Sequence, residues 1–259
     1  MTVSGYVQRR PFGYWERRFA SKPSLRDALL PVHYLNCVDH GTVRGFVRQI
    51  VHTILIDLSQ DEKQLLGECR ANTRNEIGRA AREGAQARAT EDPRLFLELY
   101  EAAGAHKSLP QTSRRFLESY GHALHITEVL QDGRVLAAHV HVADRQSGRV
   151  RLIRSASLFR DLDKPMQQKA GRANRFLHYQ DFLYFKKLGY RSYDMGGYDP
   201  PGEGLAEELR RVSDFKASFG GRVVQEANYV SCLLHLYRQR CRLLGRFRRN
   251  RRDAAQAGM

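Results

Sequence analysis

Cysteine is scarce in this sequence, and its four copies are dispersed. Cys37, Cys69, Cys232 and Cys241 form no CxxC pair, so the sequence offers neither a disulfide framework nor a zinc ribbon and is typical of a reducing compartment. No apolar run approaches the roughly 18 residues that a membrane-spanning helix needs, and no signal peptide is expected. P-loop, GxSxG and HExxH motifs are missing. We therefore expect a cytoplasmic protein without a transmembrane segment.

Acidic residues are few beside basic ones: 28 against 43, which gives a net charge of +15 over 259 residues. The excess is concentrated between Arg238 and Arg252, where eight arginines and no acid occur. Such a run suits the phosphates of tRNA or an anionic membrane surface, here the inner membrane face, but it is also common at a solvated helix end. We expect an N-terminal extension (1–50) packed on the core, a domain (51–237) and an Arg-rich tail (238–259).

Turn and periodicity signals predict alternating strands and helices. The predicted strands are 52–58, 86–90, 124–130, 134–143, 149–156, 190–195 and 222–232. The predicted helices are about 59–83, 93–103, 113–120, 175–188 and 205–218, the first opened by a capping box at Ser59. Asp132-Gly133 and Ser147-Gly148 turns join three strands into an antiparallel meander. The sequence predicts an α/β fold with a mixed, mostly antiparallel sheet and helices on both faces.

A first candidate site is the polar segment Gln168-Lys169-Ala170-Gly171-Arg172-Ala173-Asn174. We predict that Asn174 caps the following helix and that a loop, 159–172, leads into it. A glycine-bearing loop at a helix N-terminus presents free amides that bind anions, and Lys169 and Arg172 would add charge. An ordinary helix cap gives the same pattern.

Three later blocks carry a more specific signal: Gly171 to Tyr179 (GRANRFLHY), Leu188 to Gly197 (LGYRSYDMGG) and Asp214 to Gly221 (DFKASFGG). With Arg70 to Gly84 (RANTRNEIGRAAREG) they resemble the FemAB-like branch of the GNAT acyltransferase superfamily over roughly residues 54–229. The segment Gln168 to Asn174 also fits the Q/R-x-x-G-x-G/A loop by which GNAT enzymes hold acyl-CoA.

The resemblance implies a GNAT-like sheet and acyl or aminoacyl transfer to an amine. It implies that Gln168, Lys169, Gly171, Arg172, Ala173 and Asn174 hold the pyrophosphate of acyl-CoA, such as acetyl-CoA. Lys216 matches the family lysine and could neutralise a tetrahedral oxyanion; a surface lysine is the alternative. Asp194 could orient or deprotonate the acceptor amine, or it could accept turn amides. The expected substrate contacts are Arg70, Arg74, His178, Gly196, Gly197 and Phe215. Each of them could instead have a purely structural role, on a solvated helix face, in core packing or in a tight turn.

His139 and His141 are two residues apart and therefore share a strand face. They could act as bases or metal ligands, or they could be satisfied strand histidines. Since no carboxylate or cysteine lies nearby in the sequence, we expect no metal.

The favoured function is N-acyl transfer from acyl-CoA to a small amine-bearing acceptor: an amino sugar, sugar nucleotide or amino acid derivative, as in cell-envelope polysaccharide synthesis. An alternative takes the donor from aminoacyl-tRNA, as the FemAB resemblance implies. A second alternative is a non-enzymatic protein that binds RNA or membrane through its tail.

Overall fold

The computed structural model describes residues 3–7, 13–39, 41–104, 112–158, 163–202 and 206–241. The chain divides into two compact units. One is Val51–Gln225; the other combines Ser4–Ile50 with the chain from Glu226 onward. No helix within the described ranges is long and apolar enough to span a bilayer. The tail beyond Cys241 and the start of the 159–172 loop lie outside the described residues.

The elements are as follows. The strands are β1 (Val3–Val7), β2 (Tyr14–Arg18), β3 (Val32–Cys37), β4 (Phe46–Asp57), β5 (Gln86–Thr90), β6 (Leu124–Gln131), β7 (Arg134–Asp144), β8 (Arg149–Ser157), β9 (Ser192–Tyr198) and β10 (Arg222–Ser231). The helices are α1 (Glu62–Glu68), α2 (Ala71–Arg82), α3 (Arg94–Gly104), α4 (Arg114–Glu118), α5 (Lys164–Lys187) and α6 (Glu207–Ala217).

The Val51–Gln225 unit contains a mixed sheet in the order β4-β9-β8-β7-β6-β5. The predicted meander is confirmed, because β5, β6, β7 and β8 pair antiparallel in sequence. β9 pairs antiparallel with β4 and parallel with β8. A parallel pair needs a long crossover, and α5 supplies it.

Helices cover both faces of this sheet. Asp181 of α5 contacts His139 and His141, whereas Phe116 of α4 lies 5.4 Å from the Arg154 guanidinium on the opposite face. Between α5 and the sheet lies a core of large side chains that includes Ile54, Ile56, Ile77, Leu177, Phe182, Phe185, Tyr193 and Phe219. This core fixes α5 against the centre of the sheet.

Two predicted helix boundaries were wrong. The first helix breaks at Cys69 into α1 and α2, and its capping box uses Asp61 and Gln64 rather than Ser59. α5 begins at Lys164, eleven residues before the predicted start, with Asp163 as N-cap: its carboxylate accepts the Met166 amide at 2.9 Å. Pro165 in the first turn suits this start, because its missing N–H would be unpaired there anyway. No loop therefore precedes Asn174.

The other unit holds β2, β3 and the later part of β10, although no strand was predicted in residues 1–50. β2 pairs parallel with β3, and β3 pairs antiparallel with β10. Val32, Tyr34, Phe46 and Tyr229 form its core.

Candidate active site

β8 and β9 separate in the middle of the sheet. Their mutual pairs run from Arg149–Ser192 to Arg151–Asp194 and then stop. Each strand nevertheless continues along its other neighbour: β8 stays paired with β7 as far as Ser157, and β9 with β4 as far as Tyr198. Beyond Asp194 the facing edges of these two strands therefore have no register pairs with each other, and a separation of this kind is where an extended ligand chain can bind.

Lys216 of α6 lies at this divergence. Its ammonium donates to the carbonyl of Gly197, with Nζ and O 2.5 Å apart. Burial, followed by the repulsion of Arg151, lowers the pKa of Lys216 to about 8. The stem is half-buried, so the charge is held in a restricted place next to the end of the β8–β9 pairing.

Asp194 is fully buried between two arginines of β8. Its Oδ2 pairs with the guanidinium of Arg149 and lies 2.6 Å from that of Arg151. Burial alone would raise the pKa of Asp194, but these cations outweigh it and hold the pKa well below its usual range. A carboxylate so stabilised is a weak proton acceptor. The geometry therefore favours a charge-positioning role over the deprotonation of an amine.

Gly196 marks a bulge beside this carboxylate. Its amide donates to Asp194 Oδ1 at 2.8 Å, and its carbonyl accepts from Thr53 at 2.8 Å. Its φ is +85°, and a Cβ there would lie 3.3 Å from the Leu152 carbonyl and 3.4 Å from Lys216 Nζ. Glycine thus allows the lysine to approach the strand closely. We call Thr53, Arg151, Asp194, Gly196, Gly197 and Lys216 the divergence site.

Two other predicted contacts, His178 and Phe215, form an aromatic layer next to the divergence site. Their ring centroids are 5.4 Å apart, and the Arg175 guanidinium lies 5.1 Å from the centre of the Phe215 ring. His178 is buried, which lowers its pKa well below the usual value. His178 is thus a neutral packing group.

The predicted pyrophosphate loop is part of α5, a helix interior whose amides bond within the helix. Lys169 pairs with Asp132, and Arg172 donates twice to Glu83 at 3.0 and 3.1 Å. Asn174 faces His139, its Oδ1 2.9 Å from Nε2; Ala173 is buried. The N-terminus of this helix, where free amides could bind an anion, is therefore at Asp163 and not beside Gly171.

A cavity of about 500 Å³ nevertheless lies between α2 and α5. Its lining is strongly basic and consists of Asn72, Glu76, Arg79, Lys164, Gln167, Gln168, Gly171, Arg172 and Arg175. Its four cations outnumber Glu76 in the lining and Glu83, which pairs with Arg79 and Arg172, so the cavity remains suitable for an anion. Gln168, Gly171 and Arg172 thus share a basic cavity although they form no loop.

Arg70 and Arg74 do not reach the divergence site through any described contact. Arg74 donates to the carbonyls of Gly67 and Cys69 at the end of α1. The exposed Arg70 precedes α2, and its backbone amide donates to Ser218 at 2.8 Å. Arg74 therefore stabilises the C-terminal end of α1, and no described contact supports the predicted substrate-binding role of Arg70.

His139 and His141 share a face as predicted, but the expectation that no carboxylate accompanies them was wrong. Asp181 Oδ2 lies 2.7 Å from His139 Nδ1 and 3.2 Å from His141 Nε2. All three side chains are buried. Asp181 is about 40 residues away in the sequence, so only the packing of α5 on β7 brings it there.

Sequence reasoning also missed Arg149, Arg151 and Thr53. A usable signal existed: Arg149 and Arg151 alternate along a β-rich run, which places both on one strand face. Buried arginines need an acidic partner, and Asp194 on the next strand is that partner.

No protein family and no curated protein matches this sequence. Among solved structures, FemX is 10% identical with a TM-score of 0.60, covering 90% of this chain and 85% of that one. A C-terminal domain assigned to a lysylphosphatidylglycerol synthetase of Agrobacterium fabrum is 16% identical (TM-score 0.55; 88% and 79%). L-PGS from Bacillus licheniformis is 13% identical (TM-score 0.53; 89% and 81%). These likenesses show the fold alone, and the expected mixed, mostly antiparallel α/β fold is confirmed as one that FemX shares.

Proposed function

We propose that this chain transfers an acyl or aminoacyl group from an activated donor to an amine, with the reaction at the divergence site. One observation carries the proposal: a half-buried lysine ammonium stands where the pairing between two strands stops. Extended donor chains bind such strand edges through backbone hydrogen bonds. The donor carbonyl would then lie beside Lys216.

Each of these groups has a role in the proposed reaction. The acceptor nitrogen attacks the thioester or ester carbonyl carbon, and the carbonyl oxygen becomes an oxyanion. The Lys216 ammonium stabilises that charge. As the oxyanion collapses, the C–S or C–O bond breaks, the thiol or hydroxyl leaves, and the amine proton passes to solvent or the leaving group. Asp194 stays ionised and holds Arg149 and Arg151 in place.

The donor's phosphates have a natural place in the basic α2–α5 cavity. Arg175 lines this cavity and also packs on Phe215, the neighbour of Lys216. Acyl-CoA, our first candidate donor, carries phosphates at one end and a thioester at the other. The same requirement is met by an aminoacyl-tRNA ester, and the name lysylphosphatidylglycerol synthetase on one similar structure supports that second candidate.

The experiment compares donors on the full chain. Acetyl-CoA or longer acyl-CoA is expected to raise the melting temperature of the native protein and to acylate one or more members of an amine panel, which mass spectrometry would detect. Protection by charged tRNA but not by CoA would select the aminoacyl donor. Protection by neither donor, with no product from either, would contradict the proposed transfer and leave the non-enzymatic alternative.

A further inference from the structure

The buried histidine pair and Asp181 form the second concentration of chemically active groups in the Val51–Gln225 unit. His139 Nδ1, His141 Nε2 and a carboxylate oxygen of Asp181 all lie within 4.8 Å of one another. The donors come from β7 and α5. The transfer proposed above uses none of the three. Burial of such polar groups in a core is costly unless they are paired, and these three are paired chiefly with one another.

We propose that His139, His141 and Asp181 bind a divalent first-row transition metal of the zinc type. Two imidazole nitrogens and one carboxylate oxygen are a common donor set for this class. The Tyr193 hydroxyl, 2.9 Å from His141 Nε2 and 3.4 Å from Asp181 Oδ2, is placed to act as a fourth donor. The cluster thus presents enough donors for tetrahedral coordination.

The surrounding hydrogen bonds orient two of the donors, His139 and Asp181, as metal sites require. The outer nitrogen of His139, Nε2, faces Asn174 Oδ1 at 2.9 Å, which places its proton there and directs the lone pair of Nδ1 towards Asp181. Thr127 donates to Asp181 Oδ1 at 2.6 Å, which leaves Oδ2 for the metal. A bound ion would replace the short contacts between the three donors, and any proton on His139 Nδ1 or His141 Nε2 would pass to solvent.

The cluster lies beside a cavity. Asp181 and Thr127 line this cavity of about 450 Å³ between β5, β6 and α5. Since Asp181 is buried behind the Thr127 hydroxyl, an ion entering from this side would have to displace that hydroxyl. Once bound it would join β7 to α5, so we expect its main effect on stability rather than on the transfer reaction.

The test uses the untagged full chain. The protein is treated with a chelator and then titrated with Zn²⁺, or with Co²⁺ as a spectroscopic probe. About one equivalent per chain should bind, the melting temperature should rise, and Co²⁺ should give the visible absorption of a four-coordinate N/O site. Less than stoichiometric binding to the native chain, with no thermal shift, would overturn the proposal.

Substitutions at the proposed ligands test whether the ion binds to these side chains. His141→Asn and Asp181→Asn should weaken binding at least tenfold, and Asn174→Ala should weaken it by about 10- to 100-fold, as is usual for a residue that orients a ligand. His125→Asn is the control: His125 packs on Phe185 beside His141 but belongs to no donor set. Equal affinity in native protein and in His141→Asn would show that the metal binds elsewhere. If these variants fail to fold, the native titration and its Co²⁺ spectrum decide.

Discussion

Lys216 is the residue on which the proposed transfer depends most directly. Its charge is needed in the transition state and not in the free enzyme, so its removal should lower turnover more than binding. Lys216→Met keeps the apolar stem, and we expect about a 100- to 1000-fold loss of kcat. Lys186→Met is the control, since Lys186 also donates to carbonyls, of Leu58 and Gln60, away from the divergence site. A variant that folds and keeps more than about a third of native kcat would contradict the assignment.

The pH dependence of the same pair of proteins gives a separate test. Because the pKa of Lys216 is about 8, the ammonium is present below that pH and lost above it. The ratio of native to Met-variant kcat should therefore fall as the pH rises through 8, while the titration of donor and acceptor cancels in the ratio. Lys216→Arg, which stays charged, should keep a constant ratio. A flat native ratio from pH 7 to 9 would argue that the charge is not used.

Asp194 supports the site through stability. Asp194→Asn removes the buried carboxylate that the guanidiniums of Arg149 and Arg151 both contact, and we expect it to cost about 3–5 kcal/mol of unfolding free energy. Asp132→Asn removes a carboxylate that is 73% exposed and pairs with Lys169, and should cost less than about 1 kcal/mol. Denaturant melts measure both. Equal losses of unfolding free energy in the two variants would show that the buried ion pairs of Asp194 stabilise the protein no more than the exposed pair of Asp132.

The direction of the Asp194 effect with pH follows from its lowered pKa. The folded protein binds fewer protons here than the unfolded chain, so the stabilisation is present above pH 3.8 and is lost as the pH falls below it. Native protein should therefore lose more stability on acidification than Asp194→Asn.

The turn between α6 and β10 shows why that element boundary needs glycine. At Gly221, φ is +79°, and a Cβ would lie 2.6 Å from both the Leu55 carbonyl and Ile56 Cδ1. Gly221→Ala should therefore cost the left-handed penalty of about 1–2 kcal/mol plus about 1–3 kcal/mol of overpacking. Gly189→Ala, at φ +86° with no neighbour within 4 Å, should cost the first part only. Equal melting temperatures for the two variants would contradict this.

The α2–α5 cavity gives a prediction for the donor's phosphates. Gly171→Asp adds a carboxylate to the cavity wall, where it should weaken binding of a phosphate-bearing donor at least tenfold. Gly78→Asp is the matched control: it also lies inside a helix beside an arginine, but outside the cavity lining. Calorimetry with the donor that protects the native protein measures both. Identical donor affinities in the two variants would show that the donor's phosphates do not bind in this cavity.

Sequence patterns located most elements but failed at two helix boundaries and for the strands in residues 1–50. At the start of α5 the failure came from competing signals. Asp163 followed by Pro165 is a helix-start signal that was present in the sequence, but Gly171 and the polar residues around it resembled a loop. The helix continues because Ala170 and Ala173 are buried against neighbouring elements. Lys216, Asp194, Gly196 and Gly197 were predicted and do lie together. Asp181 could not be predicted with the histidines, since only tertiary packing joins them.

At the scale of the whole molecule, the arginine-rich tail lies outside the described residues, and the sequence predicts an effect of its positive charge. Arg238 stacks 4.6 Å from the Tyr14 ring, so a clean deletion begins at residue 242. Removing 242–259 deletes six arginines and should weaken binding to RNA or anionic vesicles and reduce the salt slope. Replacing the six with lysine should keep the slope. Equal slopes for deleted and native chains would make the tail a solvated end.

The division of the chain into two units has a consequence for the order of assembly. All of Val51–Gln225 is contiguous and can pack as soon as it leaves the ribosome, whereas β3 waits for β10, whose pairing residues are nearly 200 positions later. Closing so long a loop costs entropy and time. During synthesis, the edge of β3 that pairs with β10 therefore stays unpaired until the residues from 226 onward emerge. During this interval the nascent chain most needs a chaperone.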